Sequence, residues 1–224
     1  MRRSLSLAFV CAFFALVTLA QAQTVDIAVG GNTLWSPKNT TASTGFIPPP
    51  EKGGVYPSFS AQYVSGASPF GINAEGAFRY HETIYNDFQP YRPWLFDVNG
   101  VYTSRLANKT RGDFMAGVGA QRVLFYNSGN CLIPTGGCRV NFNTTHFLVH
   151  FGVGIRYSVW RNIFIRPEAH WYYIPNNVEF HSNNVFRVGA SVGYTFGNHP
   201  AKAKPAAQEK PAPPQPQPQP EPPK

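Results

Sequence analysis

The stretch from His146 to Val159 constrains this chain more than any other. Phe147, Val149, Phe151, Val153, Ile155, Tyr157 and Val159 occupy one set of alternate positions. His146, Leu148, His150, Gly152, Gly154, Arg156 and Ser158 occupy the other. Successive side chains of a β-strand point to opposite faces, so this segment is a ribbon with one apolar and one polar side.

The split recurs along the chain. In Phe70–His81, Phe70, Ile72, Ala74, Phe78 and Tyr80 oppose Asn73, Glu75, Arg79 and His81. In Trp94–Arg105, Trp94, Phe96, Val98 and Tyr102 oppose Asp97, Asn99 and Thr103. In Ile163–Ile174, Ile163, Ile165, Ala169, Trp171 and Tyr173 oppose Arg166, Glu168, His170 and Tyr172. In Phe186–Phe196, Phe186, Val188, Ala190, Val192, Tyr194 and Phe196 oppose Arg187, Gly189, Ser191, Gly193 and Thr195. Phe114–Tyr126 begins in the same way with Phe114, Ala116, Val118 and Ala120, and then its register slips at Gln121-Arg122, which predicts a β-bulge. Two weaker strands, Val25–Leu34 and Val55–Val64, open the domain.

These eight strands predict an all-β fold: an eight-stranded antiparallel up-and-down transmembrane β-barrel with a polar lumen. The connections agree. Long segments (33–54, 82–93, 127–145 and 175–184) alternate with short ones (65–69, 106–113 and 160–162), as external loops alternate with periplasmic turns. Both termini then lie on the periplasmic side. Aromatic residues, 15% of the chain, gather near strand ends, among them Trp94, Trp160, Trp171, Tyr172, Tyr173 and Tyr194. Rings at such positions suit the two membrane interfaces. A soluble sandwich or lipocalin-like barrel would have to bury the Arg, Glu, Asp and His face or expose a large apolar belt.

The two ends of the chain differ from the middle. Met1-Arg2-Arg3, the apolar run Leu5–Leu19 and Ala20-Gln21-Ala22 form the charged, hydrophobic and small-residue regions of a signal peptide cleaved before Gln23. Cys11 lies inside the apolar run, behind Phe9 and Val10, which are too large to precede a lipidated cysteine. Residues 200–224 hold Pro, Ala, Gln, Lys and Glu without a large apolar side chain, and read as a disordered periplasmic tail of polyproline-like chain reaching about 75 Å. The domains are therefore 1–22, 23–199 and 200–224. Of 19 basic and 11 acidic residues, the middle domain keeps 13 and 9, a net charge of +4 with no basic run suited to nucleic acid. Cys131 and Cys138 remain after processing. In an exported protein so close a pair predicts a disulfide, closing a loop and worth about 2–3 kcal/mol.

Two motifs carry a resemblance. The segment Phe164-Ile165-Arg166-Pro167-Glu168-Ala169-His170-Trp171-Tyr172-Tyr173 is followed by Phe186-Arg187-Val188-Gly189-Ala190-Ser191-Val192-Gly193-Tyr194-Thr195-Phe196. Together they resemble the closing hairpin of the outer-membrane-protein-A-like β-barrel superfamily, in its short bacterial outer membrane protein β-barrel domain form. The resemblance implies a monomeric outer-membrane protein surrounded by lipid and lipopolysaccharide. It also implies that Gly193, Tyr194 and Phe196 act as the terminal-strand signal read by the barrel-insertion machinery. Larger relatives carry a peptidoglycan-binding domain after the barrel. This chain has its Pro-rich stretch there, so any cell-wall contact is expected through the tail alone.

The inward charges are the candidate site: Asp26, Glu75, Asp97 and Glu168 against Arg79, Arg156, Arg166 and Arg187. In so narrow a lumen they must pair, since an isolated buried charge costs several kcal/mol. They form either a polar plug or a narrow gated pore in which partners exchange. A lipid-A-modifying enzyme is a third reading. His81-Glu82-Thr83 and His181-Ser182 are the nearest catalytic candidates, but neighbours on a strand point apart. His146, His150 and His170 share the polar face at a spacing that suggests no compact metal set. Neither a cofactor nor a metal is expected, and the leading expectation is a structural envelope barrel with long extracellular loops.

Overall fold

The computed structural model describes residues 24–37, 48–65, 68–85, 89–129, 138–180 and 182–197, with backbone alone at 127–129 and 138–141. The expected signal peptide, the Pro-rich tail, Cys131 and the side chain of Cys138 lie outside the described residues.

The elements are β1 (Thr24–Trp35), β2 (Tyr56–Val64), β3 (Phe70–Phe78), β4 (Thr83–Tyr85), β5 (Gln89–Arg105), β6 (Thr110–Gly129), β7 (Cys138–Trp160), β8 (Ile163–Tyr173) and β9 (Asn184–Phe196). Each pairs antiparallel with its neighbour in the ring. The ring closes where β1 meets β9, from Val25 opposite Phe196 to Trp35 opposite Phe186. The short β4 extends the row of β3 along β5, so nine segments occupy eight positions in a closed barrel. Closure removes the unpaired strand edges that a membrane would not tolerate.

The polarity is that of a barrel in lipid. Val98, Phe151, Val153 and Ile155 look outward and are about half exposed. Asp26, Arg156, Arg166 and Arg187 are enclosed. Aromatic pairs mark the two rims of the outer wall. Phe70–Tyr102 (5.3 Å between centroids) and Tyr194–Phe196 (4.6 Å) lie at the short-turn end. Trp35–Phe186 (5.8 Å), Phe78–Trp94 (5.1 Å) and Phe151–Trp171 (5.5 Å) lie toward the loop end. Ten residue steps along β1 from Val25 to Trp35 span about 33 Å, or about 25 Å of height at a tilt near 40°, the thickness of a bilayer's apolar band.

Three expectations from sequence change. The bulge at Gln121-Arg122 is absent: Gln121 and Arg122 pair in unbroken register with Leu95 and Trp94 on one side and His146 and Thr145 on the other. Alternation persists, but its chemistry inverts. Val123 and Phe125 point inward into an aromatic cluster while Arg122 points out, because this part of β6 lies beyond the lipid belt. The segment 127–145 is not all loop: β6 and β7 stay paired up to Gly129 opposite Cys138. Its Asn- and Thr-rich sequence lacks the alternation of a membrane strand, and the backbone ladder continues without it. Finally, the strand read as Trp94–Arg105 begins at Gln89 despite Pro90 and Pro93. Pro93 sits opposite the break between β3 and β4, where a missing N–H costs no ladder bond, and its carbonyl accepts from Arg79 N at 3.1 Å.

Candidate functional site

Alternate residues of every barrel strand enter the lumen, and there they sort into layers. Nearest the termini, Arg156 on β7 donates to Asp113 on β6 at 2.9 Å and to Asp26 on β1 across the interior. Asp113 also accepts from Thr103 at 2.9 Å, and the Arg156 guanidinium lies 4.5 Å from the centre of the Phe164 ring.

The next layer holds two further guanidiniums. Arg166 Nε donates to Glu168 Oε2 at 2.9 Å, and its terminal nitrogens reach Ser60 Oγ at 3.0 Å and Gln62 Oε1 at 3.4 Å. Arg187 on β9 pairs with Glu75 Oε1 on β3. Asp97 has no arginine partner among the described residues: Asn99 Nδ2 donates to it at 2.5 Å and His150 Nδ1 stands 3.3 Å away. Thus seven of the eight candidate charges share two contiguous layers. A buried ion pair offsets its desolvation only when the remaining lone pairs and N–H groups are also engaged, which the interleaved Ser, Thr, Asn and Gln largely provide.

The eighth candidate, Arg79, has a different role. It donates to the carbonyls of Gly53 (2.7 Å) and Lys52 (3.3 Å) in the loop after β1, and it lies over the Tyr56 ring at 5.9 Å. A side chain at Gly54, which has a φ of 94°, would strike that guanidinium, since a Cβ would sit 2.5 Å from Arg79 Cζ. The loop returns over the barrel mouth and places Glu51 inside it, where Glu51 Oε1 accepts from Gln121 at 2.6 Å.

An apolar plug closes the loop side. Leu34, Tyr56, Leu95, Leu148, Tyr172, Ile174 and Val185 form one fully enclosed cluster. A second, made of Tyr91, Val123, Phe125 and Phe180 with Tyr85 against it, lies beyond. Tyr85 OH ties this lid to Glu179 O at 2.7 Å, and His146 Nε2 lies 2.7 Å from Glu179 Oε2.

Sequence reasoning misses several of these residues. It places Asp113 in a turn and Glu51 in an external loop. The plug leaves a signal: Leu34, Leu95 and Leu148 share alternation parity with Asp26, Asp97 and His150 and so have to point inward. The histidine grouping leaves none, because His150 and His170 meet only once β7 and β8 are paired. Their ring nitrogens lie 2.9 Å apart. Of the catalytic candidates, His81 packs edge-on against Tyr80 at 4.5 Å, and the Ser182 hydroxyl is engaged at 3.1 Å by both the N–H and the carbonyl of Asn184. His181 lies outside the described residues. Gly193, Tyr194 and Phe196 lie on β9 facing β1, with Tyr194 and Phe196 on the outer wall.

Comparison with solved structures places this fold among small outer-membrane barrels. The chain is similar to the attachment invasion locus protein Ail of Yersinia pestis (TM-score 0.52, 11% identity, 77% of this chain and 98% of that one). It is likewise similar to Neisserial surface protein A (0.52, 14%, 79% and 99%) and to a major outer membrane protein of Thermus thermophilus (0.50, 10%, 77% and 99%). No family model and no curated protein matches the sequence.

Proposed function

We propose that this protein is a structural component of a bacterial outer membrane, a closed barrel that holds long loops at the cell surface and contributes to envelope integrity or surface interaction. The observation that carries this reading is the layered filling of the lumen. Paired charges occupy the middle, and two apolar clusters stand between them and the loop side. Leu34, Leu95 and Leu148 are fully enclosed in the first of these clusters. The termini and the Pro-rich tail belong in the periplasm on this reading, lipid and lipopolysaccharide surround the barrel, and the insertion machinery reads the end of β9. The protein acts as a monomer with no catalytic role. Ail and Neisserial surface protein A are named for attachment and for the surface. A barrel of this size can present loops to the outside.

The alternative is a narrow gated pore, favoured by one feature: the guanidinium–carboxylate layers contain more than one partner for an exchanging arginine. Planar-bilayer recording of the full-length mature protein separates the two. The structural reading expects no steady unitary current, and reproducible steps would overturn it. Heat-modifiable migration on gels checks that the protein recorded is the folded barrel.

A further inference from the structure

The middle of the lumen contains a nitrogen lone pair facing two carboxylates. The hydrogen bonds around it determine the proton positions. Asn99 Nδ2 must donate to Asp97 (2.5 Å), since a carboxylate only accepts, and it also reaches Asn73 Oδ1 at 3.2 Å. Asn99 Oδ1 is therefore the acceptor presented to His150 Nδ1 at 2.7 Å, so that nitrogen carries hydrogen. The other nitrogen of a neutral His150 is then an acceptor, and it sits 2.9 Å from His170 Nδ1, which donates to it. His170 Nε2 is left with a lone pair. Its side chain is fully enclosed, and the atom makes no hydrogen bond to any described residue. Glu168 Oε1 lies 3.7 Å away and Glu75 Oε1 3.9 Å away, too far for hydrogen bonds and close enough to repel a lone pair.

Each carboxylate is held by an arginine through one oxygen and keeps the other. Glu168 engages Arg166 and Ser191 through Oε2, which leaves Oε1 toward His170. Glu75 engages Arg187 through Oε1, the same oxygen that lies 3.9 Å from His170, and its Oε2 is buried without a partner. One oxygen from each and the imidazole nitrogen fall within 4.8 Å of one another.

From this convergence we propose that Glu75, Glu168 and His170 form a binding site for a divalent transition-metal cation, with zinc the best match to one imidazole and two carboxylates. Zinc bonds of about 2.0–2.2 Å put tetrahedral ligand atoms about 3.4 Å apart. The 3.7 Å pair nearly meets that separation, and rotation of the two glutamate side chains closes the rest. The surroundings are those that orient a metal's ligands. His170 Nδ1–H is directed to His150, which fixes the ring and its tautomer, and the arginines orient the carboxylates. Glu75, Glu168 and Asp97 outnumber Arg166 and Arg187 by one, so the layer attracts a cation; a proton on His170 would balance this charge, and a divalent ion leaves the layer at +1. The competing occupant is a proton on His170.

The test uses the full-length mature barrel in detergent, stripped with chelator, then refolded with zinc and desalted. One zinc per folded chain is expected, and cobalt in its place gives the intense visible bands of a low-coordinate site. His170→Gln is expected to lower zinc affinity at least a hundredfold, while His146→Gln, at the lid, leaves it unchanged. Zinc retention at less than a tenth of an equivalent would overturn the proposal, and so would equal retention by His170→Gln. If that variant does not fold, nitrogen NMR of the wild-type histidines decides. A metal-shifted, unprotonated Nε2 on His170 supports the site, whereas an N–H there that persists in zinc assigns the cation to a proton and overturns it.

Discussion

Glu51 Oε1 accepts a 2.6 Å hydrogen bond from Gln121 Nε2, and this contact fastens the loop after β1 to the inner wall of β6. The carboxyl is wholly buried and its second oxygen has no hydrogen-bond partner among the described residues. Burial raises it from an ordinary 4.5 to about 7, against the opposing pulls of the Gln121 hydrogen bond and the Arg79 guanidinium, with Glu179 adding to the rise. The folded protein therefore keeps a proton that the unfolded chain gives up. The stabilisation from this group is complete below about pH 4.5 and is lost as pH rises through 7, a change on the order of 3 kcal/mol. Urea midpoints in detergent are expected to fall between pH 5 and pH 8 in the wild type and to fall much less in Glu51→Gln, which is neutral throughout. Parallel curves for the two proteins would remove Glu51 from the account.

Arg156 binds both Asp26 and Asp113 and offsets the repulsion between them. Replacing it with Met leaves two enclosed carboxylates without the guanidinium that donates to both, and only the half-buried Arg111 nearby to offset their charge. Breaking a buried pair by removing one partner costs about 3–5 kcal/mol. Arg156→Met is expected to lose that much folding free energy. A triple variant that adds Asp26→Asn and Asp113→Asn is expected to recover more than half, because the desolvated charges are gone. A loss below about 1 kcal/mol in the single variant would mean that water reaches this layer.

The fold is largely legible because alternation is local: in Phe186–Phe196 each side chain's face follows from its neighbours alone. Lipid and lumen differ enough in polarity that Val192 and Arg187 cannot exchange sides. What sequence could not supply comes from pairing. The layering of Arg166 with Gln62 and Ser60, more than 100 residues apart, depends on the tilt and register of β2 against the rest of the ring. Arg79 reads in sequence as a lumen charge awaiting a carboxylate and instead binds loop carbonyls, which leave no pattern in side-chain chemistry. The false bulge at Gln121-Arg122 arises from assuming one polarity rule along a strand that passes through two environments.

Gly152 leaves the space in which the two histidines meet. A Cβ there would lie 2.9 Å from His170 Nδ1 and 3.0 Å from His150 Nε2, the two atoms of their hydrogen bond. Gly100, on the outer wall, has only Ala116 O at 3.8 Å in the equivalent direction. Gly152→Ala is expected to cost about 1–3 kcal/mol, as overpacking of a filled interior does. Gly100→Ala should stay within about 0.5 kcal/mol of wild type. Histidine proton or nitrogen shifts distinguish this from a general loss of stability: Gly152→Ala should move the His150 and His170 resonances and leave His146 in place. Equal stability of the two alanine variants would show that the His150–His170 contact is loose enough to yield.

Val118 tests the side on which the membrane lies. It is half exposed on the outer wall of β6, paired across to Val98 on β5 and Val149 on β7, well inside the two aromatic rims. Trp160 is more exposed still, but it lies at the short-turn rim. In water an arginine at either place would be harmless, since both positions are on the surface. In a bilayer the cost depends on depth, about 2–4 kcal/mol at the midplane and about 0–1 near the interface. Val118→Arg is therefore expected to be the more damaging change in lipid vesicles, by about 2 kcal/mol or more relative to Trp160→Arg. The difference should shrink in short-chain detergent, where the apolar belt is thinner and water is closer. A Val118→Arg protein as stable in vesicles as its Trp160→Arg counterpart would mean that this wall does not face hydrocarbon.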